Sequence, residues 1–443
     1  MKEIKWKPSM FNVVVEKEEE MILYNSYQGW NGIRKVSKEH EEEVKACLAT
    51  PNEAENTEVF KALVEGGYIV DADTDEKANR ERLMYEFTMD DTLHLMVHTT
   101  DGCNFRCKYC ALDFKTNFIT QETQDGIIQY VRKNVNKYSK VLVDWFGGEP
   151  LMGMKAIEYI SKELIKICKD AKVPYVGSIT TNGYLLTPEN VKKLVDNHVY
   201  YYTVTIDGLK ESHDNQRVFI DDGPTFDVIM SNLENIRDNV KNRYVAVTIR
   251  SNFTADMFAQ KEEYYRMLDE KFGKDGRFKL LLRPAGDWGG ERVNQIRDKL
   301  VPTGKMSDLY EFMTGVEGDL KAWINIAELS ACGATCRSAK KNRYVINVFG
   351  KIQKCETCNK KFEIGYLTPD GVMHIDPNIE NKWTLGYRMA CRAECDDCPI
   401  SCSCLMGTCP KNVIETGKKS CGHTVGFEGM IAMAAKALEV KVI

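Results

Sequence analysis

Three cysteines stand close together in the first third of the chain: Cys103, Cys107 and Cys110, in the spacing C-x3-C-x2-C. They directly follow a predicted strand, Thr92–His98, so we expect them on a loop at the end of that strand. Three thiolates on one loop can bind three irons of a [4Fe–4S] cluster and leave the fourth iron open for another ligand. A zinc loop or a group of buried thiols is the alternative, but structural zinc takes four protein ligands and this loop offers three. The spacing therefore favours an iron–sulfur cluster with an open coordination position.

Polar residues or glycines also follow the other strands that the sequence predicts. Six strands are expected, at Thr92–His98, Val141–Phe146, Tyr175–Thr180, Tyr200–Ile206, Val245–Arg250 and Lys279–Arg283. The five later strands end in Gly147-Gly148-Glu149-Pro150, Thr180-Thr181-Asn182-Gly183, Asp207-Gly208, Arg250-Ser251-Asn252 and Arg283-Pro284. Each motif alone is typical of a turn or a helix start, but the carboxyl ends of parallel strands meet at one edge. The sequence therefore predicts that these groups and the cysteine loop form one site.

Helical patterns separate the six strands and indicate how the sheet is connected. Strands joined by helices predict a parallel sheet with right-handed crossovers, which is an α/β fold. Six units are fewer than the eight of a closed barrel, so we expect a partial (β/α)6 TIM-like barrel with an open side. Helices are predicted over Thr120–Tyr138, Ala156–Cys168, Thr225–Asp238, Thr254–Lys271 and Met306–Trp323, and another begins at Thr187-Pro188-Glu189.

Most of the other cysteines are concentrated near the end of the sequence. Eleven of the sixteen lie between Cys332 and Cys421, where Gly, Pro and Cys interrupt the apolar periodicity. Such a segment cannot bury enough apolar surface alone, so metal coordination would supply the missing order. Zinc ribbons are one interpretation, since Cys355-x2-Cys358 and Cys395-x2-Cys398 have zinc-knuckle spacing. The net charge of -5 gives no field that attracts nucleic acid, and no apolar stretch is long enough to span a membrane.

The cysteine loop followed by Gly147-Gly148-Glu149-Pro150 resembles the radical S-adenosylmethionine (SAM) enzymes, over roughly residues 92–290. The resemblance implies that the open iron binds the amino and carboxylate groups of SAM. One electron from the cluster would then cleave SAM, and the resulting 5′-deoxyadenosyl radical would abstract a substrate hydrogen. It also implies that Gly147, Gly148, Glu149 and Pro150 hold the methionine amino group. Further implied SAM contacts are Thr180, Thr181, Asn182 and Asp207 along the ribose and methionine, and Arg250 and Asn252 at the carboxylate and ribose side, while the aromatic Tyr109 would pack over the site.

The cysteine-rich region resembles the SPASM extension, which carries two auxiliary [4Fe–4S] clusters. Cys336, Gly350 and Cys355 match the first part of its signature, and Cys395, Cys398 and Cys404 match the second. Cys409 comes one residue later than the signature has it. The resemblance implies an outer cluster on Cys395, Cys398, Cys404 and Cys421, and an inner cluster on Cys336 and Cys355, with Cys332 and Cys409 as its other candidate ligands. Cys358, Cys391 and Cys402 are alternative ligands or small buried residues, and Cys47 and Cys168 fit helix packing.

The first 86 residues predict a separate small unit. Strands Phe11–Val15 and Met21–Asn25, helices Ser37–Leu48 and Thr57–Glu65, and a returning strand at Tyr68–Asp71 suit a winged-helix-like module. Such an element often precedes the barrel in SPASM enzymes that modify ribosomally made peptides. A peptide leader can add as a strand to the edge of its sheet, although a structural cap on the barrel is the alternative. We therefore expect three regions: residues 1–86, 87–305 as the barrel, and 306–443 as the SPASM extension.

The first residues lack the apolar region of a signal peptide, so a cytoplasmic location is expected. The resemblance implies an enzyme that abstracts hydrogen from a precursor peptide and forms a crosslink, such as a Cys thioether. An electron donor such as flavodoxin or ferredoxin would reduce the clusters. Asp287 and Arg283, near the end of the sixth strand, are the candidates for catalytic side chains, although Asp287 equally fits an exposed loop. Two alternatives stay open: an anaerobic sulfatase-maturing enzyme that forms formylglycine, and a non-catalytic iron–sulfur or zinc scaffold.

Overall fold

The computed structural model describes residues 4–17, 20–54, 57–287, 290–302, 305–357, 362–419, 421 and 426–443. The chain begins with two small antiparallel sheets and three helices. One sheet has the order β2-β3-β4, and β1 pairs with β5 in the other. These strands are β1 (Trp6–Pro8), β2 (Asn12–Glu16), β3 (Met21–Asn25), β4 (Ile33–Val36) and β5 (Ile69–Asp71), and the helices are α1 (Glu41–Ala49), α2 (Glu58–Glu65) and α3 (Glu76–Thr88).

Two strands of this first unit, β1 and β4, were not expected from the sequence. The predicted start of the first helix at Ser37 is also wrong, because α1 begins at Glu41. The Ser37 side chain bonds the His40 ring instead of capping a helix. The predicted start of the second helix at Thr57 is confirmed, since the Thr57 hydroxyl caps α2 by accepting the Phe60 N–H at 3.0 Å. The winged-helix-like character of the unit stays a prediction.

Six parallel strands follow and form the centre of the molecule. They pair in chain order, each with the next, as a sheet joined by crossover helices requires. The predicted α/β fold with a partial TIM-like barrel is confirmed, and the strands start within a residue of their predicted positions. They are β6 (Thr92–Thr100), β7 (Lys140–Gly147), β8 (Tyr175–Thr181), β9 (Val199–Thr205), β10 (Ala246–Phe253) and β11 (Phe278–Pro284).

The crossover helices cover one face of this sheet with apolar side chains. Leu93, Leu95 and Val97 of β6 are fully buried in the main core, and the alternate residues of the strand point to the opposite face. The last predicted crossover helix is wrong in one respect: it divides at Gln260 and ends in a π-helical turn over Asp269–Gly273. The crossover helices are α4 (Gln121–Asn134), α5 (Met154–Asp170), α6 (Pro188–Asp196), α7 (Lys210–Gln216), α8 (Phe226–Asn239), α9 (Ala255–Ala259) and α10 (Lys261–Leu268).

The opposite face of the sheet carries polar groups that bond one another. The His94 Nε2 lies 2.5 Å from an Asp144 carboxylate oxygen, and the Ser178 hydroxyl donates to the same carboxylate. Burial lowers the pKa of His94, and the bond to Asp144 offsets part of this decrease. His98 lies on the same face, and its Nε2 is buried without a hydrogen-bond partner among the described residues. The inner face of the partial barrel therefore carries a few polar groups in fixed positions, as binding cavities commonly do.

The cysteine-rich region extends the same sheet. Its first strand, β12 (Arg343–Ile346), pairs in parallel with β6, and β13 (Lys351–Gln353), β14 (Gly365–Leu367) and β15 (Met373–Ile375) follow in antiparallel order. The predicted helix over Met306–Trp323 begins at Met306 as expected, but its predicted end is wrong, because the helix ends at Gly315, three residues before Gly318 adopts a φ of +156°. The helices are α11 (Met306–Gly315), α12 (Trp323–Ala327), α13 (Pro377–Asn381), α14 (Tyr387–Cys395), α15 (Ser401–Cys404), α16 (Pro410–Thr416) and α17 (Phe427–Ala437). Within the described ranges, no helix is both long and apolar enough to cross a membrane.

Candidate active site

The three-cysteine loop leaves the carboxyl end of β6 and is held in place by backbone hydrogen bonds. The N–H groups of Arg106 and Lys108 donate to the carbonyls of Val218 and Gln216, at 2.8 and 3.0 Å. The N–H of Phe105 donates to the Cys103 sulfur at 3.3 Å. The loop is therefore fixed against the segment that follows α7, and its thiols face the strand ends.

The three thiols of this loop lie within electrostatic range of one another. Burial is the main cause that raises the pKa of Cys103 to about 12 and that of Cys107 to about 11, and the neighbouring Cys110 contributes to both values. No group of three or more His, Cys, Asp or Glu in the described ranges is placed to hold a metal ion. A [4Fe–4S] cluster binds each thiolate through a different iron, so its ligands stand further apart than those of a single ion. One buried and two half-buried thiols on one fixed loop fit such a cluster, which would ionise them.

Gly147 and Gly148 bring the end of β7 into direct contact with the start of the cysteine loop. A Cβ on Gly148 would lie 1.9 Å from the Gly102 carbonyl oxygen, and Gly147 adopts a φ of +129°. The next N–H, of Glu149, donates to the same Gly102 carbonyl at 2.8 Å. A side chain at either glycine would separate the two loops, so the motif is required for this close approach.

The Glu149 carboxylate ties the end of β7 to the end of β8. It is fully buried and accepts three hydrogen bonds, from the N–H of Leu151 at 3.0 Å, the Thr181 hydroxyl at 2.8 Å and the N–H of Asn182 at 2.8 Å. Burial raises the pKa of this carboxyl, and the two N–H donors partly offset the increase. The side chain of Asn182 in turn donates to Asn104 at 2.7 Å, next to Cys103. Glu149 therefore positions the groups beside the cysteine loop.

A second buried network joins the cysteine loop to the ends of β9 and β10. The Tyr109 hydroxyl donates to Asp207 and accepts a bond from Arg217 at 2.6 Å. Asp207 also accepts the N–H of Asn252 at 2.9 Å, and Asn252 reaches the Tyr109 hydroxyl at 3.2 Å. All four side chains are largely buried, and burial raises the pKa of Tyr109 well above its usual range. Tyr109 is therefore locked by polar partners beside the cysteines.

The string Asp207-Gly208…His213-Asp214…Arg217 forms one local unit. The Nδ1 of His213 accepts the Asp207 N–H at 3.1 Å. Asp214 accepts the N–H groups of Thr225 and Phe226, at 2.9 and 2.8 Å, at the start of α8. Arg217 completes the unit through Tyr109. These residues hold the turn that presents Asp207 to the site.

The remaining predicted site residues lie at the ends of β8, β10 and β11. Thr180 is half-buried on β8, and Pro150 is buried at the start of the turn after β7. The Nε–H of Arg250 donates to Asn252 at 3.1 Å. Burial is the main cause that lowers the pKa of Arg250, and the positive charge of Arg283 contributes to the decrease. Arg283 forms a largely buried ion pair with Glu328, which the sequence did not indicate.

Asp287 lies away from these buried networks, on an exposed loop. Its carboxylate pairs with Arg297 at 2.9 Å. Exposed ion pairs of this kind are typical of protein surfaces. The catalytic role of Asp287 stays a prediction.

The cysteines assigned to an outer cluster gather around α14 and α15. Burial is the main cause that raises the pKa of Cys395 to about 12. Four nearby thiols contribute smaller increases: Cys404, Cys391, Cys421 and Cys398. Cys391 lies one helical turn before Cys395 on α14 and is fully buried. It is thus a fifth thiol beside the four predicted ligands.

The cysteines assigned to an inner cluster lie on the other side of this region, near β12 and β13. Arg343 of β12 interacts electrostatically with Cys336 and Cys355, and Cys355 acts in turn on Cys409. Cys332, with a φ of +65°, donates its N–H to the Cys402 carbonyl at 2.9 Å. Cys358 lies outside the described residues. The ligand sets of both clusters stay predictions.

Comparison with known proteins gives the family of the barrel. The model of the radical SAM superfamily matches residues 97–258, the stretch that contains the cysteine loop and the Gly147–Pro150 motif. Residues 97–258 form a radical SAM domain. The chain is 29% identical over 166 residues to GTP 3′,8-cyclase of Clostridium perfringens, covering 37% of this chain and 48% of that protein. It is 33% identical over 119 residues to the AdoMet-dependent heme synthase of Methanosarcina barkeri, covering 27% of this chain and 32% of that protein. The chain thus spans about half the length, or less, of these curated relatives.

Solved structures share the fold of the radical SAM domain and its surroundings. Native anSMEcpe with bound AdoMet superposes with a TM-score of 0.60 at 17% identity, covering 78% of this chain and 98% of that one. Streptococcus suis SuiB bound to precursor peptide SuiA superposes with a TM-score of 0.50 at 16% identity, covering 93% of this chain and 97% of that one. At these identities the likeness shows the fold alone.

Three residues at or near the site were not identified from the sequence. Asn104 and Glu328 carry no motif, and each is brought to the site by a contact distant in sequence. His98, on the polar side of β6, carries no motif either. The one signal available for His98 was the period-two alternation of β6, which places it on the face opposite Leu95 and Val97.

Proposed function

We propose that this protein is a radical SAM enzyme that modifies a ribosomally made peptide. The observation that carries the proposal is the meeting of the three-cysteine loop, the Gly147-Gly148 backbone and the Asp207 network at one edge of the sheet. A [4Fe–4S] cluster on Cys103, Cys107 and Cys110 with SAM beside it would supply a 5′-deoxyadenosyl radical, which removes a hydrogen atom from the substrate.

The side chains around the cluster would bind and orient SAM. The carbonyls of the Gly147–Glu149 turn would accept the methionine amino group, since the Glu149 carboxylate is already occupied by three donors. Asn182 and Asn252 would provide amide groups near the ribose. Arg250 is half-buried, and its positive charge would attract the SAM carboxylate. All of these donors and acceptors stand on strand ends, so little reorganisation would be needed when SAM binds.

Two features support a peptide as the substrate. SuiB was solved with precursor peptide SuiA, and anSMEcpe with the Cp18Cys peptide, and the present chain shares their fold. The small antiparallel sheets of residues 4–86 also offer edges to which an extended peptide can add as a strand. We propose a leader-guided reaction that forms a crosslink, such as a Cys thioether, in the cytoplasm. Arg283 and Asp287 remain the proposed catalytic side chains.

The cysteine-rich region would hold two auxiliary [4Fe–4S] clusters. The outer one would use Cys395, Cys398, Cys404 and Cys421, and the inner one Cys332, Cys336, Cys355 and Cys409. Because β12 pairs with β6 and β13 with β12, the strand that precedes Cys355 and the strand that precedes the SAM-binding loop belong to one continuous sheet. This continuity favours a role for the inner cluster as electron acceptor for the substrate, with flavodoxin or ferredoxin as the external donor.

The test compares two cysteine variants in anaerobically reconstituted protein. Wild-type protein with SAM and dithionite is expected to release 5′-deoxyadenosine, and Cys107→Ala is expected to release none and to hold about four fewer irons. Cys168→Ala is the matched control, because Cys168 is a buried thiol of α5 that packs in the core. Loss of 5′-deoxyadenosine in both variants, or in neither, would contradict the proposal.

The sulfatase-maturing alternative is favoured by the likeness to anSMEcpe, of which 98% is covered. Its product would be a formylglycine, which reacts with carbonyl reagents, whereas a thioether does not. A scaffold without catalysis would hold zinc or fewer irons and would not bind SAM. Metal analysis of the wild-type protein, for which three clusters predict about twelve irons, separates this last alternative.

A further inference from the structure

The chain itself supplies a strand to the edge of its first sheet. Residues 441–443 lie parallel to β4, with Val442 opposite Lys35. Lys35 donates its N–H to the Lys441 carbonyl at 3.1 Å and accepts the Ile443 N–H at 2.9 Å, and the Ser37 N–H donates to the Ile443 carbonyl at 2.9 Å. β4 is the outer strand of the order β2-β3-β4, so these three residues occupy the edge that an added strand would use.

The contacts of this segment are mainly backbone contacts, with one apolar anchor. Ile443 is half-buried and packs on the core of the first unit, which includes Leu23 and Val36. The side chain of Val442 is 64% exposed. Lys441 faces Glu65 across 3.7 Å, in a pair exposed to solvent. Recognition here depends on an extended backbone and one branched side chain, which is the chemistry of β-strand addition.

Three hydrogen bonds and one half-buried side chain are few enough to be exchanged. Each backbone bond contributes little net free energy, because water replaces it when the segment leaves. The body of the C-terminal helix is anchored independently, since α17 packs on α11 and the ring of Phe427 contacts Tyr24 of β3. Residues 441–443 can therefore leave β4 without unpacking α17.

We propose that residues 441–443 are an autoinhibitory segment, which fills the β4 edge until a substrate peptide replaces it. The incoming segment would run parallel to β4, donate and accept the same bonds at Lys35 and Ser37, and place a branched apolar residue where Ile443 lies. This proposal rests on the proposed peptide substrate. Because the resident segment is tethered, its effective concentration is high, and a free peptide must compete against it.

The test uses a labelled hexapeptide with the sequence of residues 438–443, Leu-Glu-Val-Lys-Val-Ile, as the probe. The full-length variant Ile443→Pro lacks the N–H that Lys35 accepts and loses the apolar anchor. It is expected to bind the probe at least about tenfold more tightly than the wild type, a difference of about 1.4 kcal/mol. Val442→Pro is the matched control, because the Val442 N–H makes none of the three bonds to β4. It is expected to bind the probe as the wild type does.

Hydrogen exchange of residues 33–37 supplies a second readout. The Lys35 and Ser37 amides should exchange faster in Ile443→Pro and regain protection when the probe is added. Equal probe affinity in all three proteins, or faster exchange that the probe does not reverse, would overturn the proposal. Release of 5′-deoxyadenosine is measured on the same samples, so failure of the radical SAM activity is distinguished from failure of the edge site.

Discussion

Replacement of Glu149 by Gln tests whether this buried carboxylate positions the SAM-binding groups. One carboxylate oxygen accepts from both Leu151 and Thr181, and the other accepts only the Asn182 N–H at 2.8 Å. A Gln oxygen can replace the first oxygen, but its NH2 group then faces the Asn182 N–H. That donor is left buried and unpaired, which costs about 1–3 kcal/mol.

The effect on stability is smaller than the sum of the lost bonds. Burial of the charge already raises the pKa of Glu149, so removing the charge recovers part of the loss. We expect a net decrease of about 2 kcal/mol in the free energy of unfolding of apo protein in urea. The affinity for SAM should fall by about tenfold, because Asn182 holds Asn104 beside Cys103. Isothermal titration of reconstituted protein measures this second effect.

Glu163→Gln is the matched control on the solvent side of α5. Its carboxylate pairs with Arg132 at 3.1 Å and is 39% exposed, and such pairs contribute about 0–1 kcal/mol. It should leave both SAM affinity and unfolding unchanged within error. Wild-type stability together with wild-type SAM affinity in Glu149→Gln would refute the positioning role.

Two further changes test the inner face of the sheet and the inner cluster. Burial lowers the pKa of His98 to about 4, so the folded protein keeps this ring neutral while the unfolded chain binds a proton near pH 6.5. The stability due to this difference is complete above pH 6.5 and is lost as the pH falls towards 4. Between pH 7 and 5, apo wild-type protein should lose about 2 kcal/mol more stability in urea than His98→Gln. Cys409→Ala should reduce the iron content by up to about four per chain, because Cys409 lies beside Cys355. Cys402→Ala, which removes a fully buried thiol, should leave the iron content unchanged.

Each of these predictions has a result that would contradict it. Parallel pH profiles for wild type and His98→Gln would mean that the ring is solvated in the folded protein. Full iron in Cys409→Ala would remove this residue from the inner ligand set. Iron loss in Cys402→Ala instead would assign it the missing position, beside Cys332.

Local sequence determined the strands of the barrel and the starts of several helices. The alternation of apolar residues in β6, and the apolar runs of the later strands, depend on neighbours two residues apart, so the strands were predictable. Thr57 and Thr187 cap their helices through bonds that span three residues. The spacing of Cys103, Cys107 and Cys110 is local as well, because these three cysteines lie within one short loop.

Tertiary structure decided everything that depends on distant partners. Tyr109 meets Asp207 across 98 residues, and β12 pairs with β6 after the whole barrel has intervened. Asp287, predicted as catalytic, faces solvent because its loop leaves the sheet, whereas Glu149 is enclosed by β8. Residues 441–443 reach β4 only because α17 packs against the first unit. Such contacts depend on how strands and helices pack in three dimensions, and no spacing within the sequence encodes them.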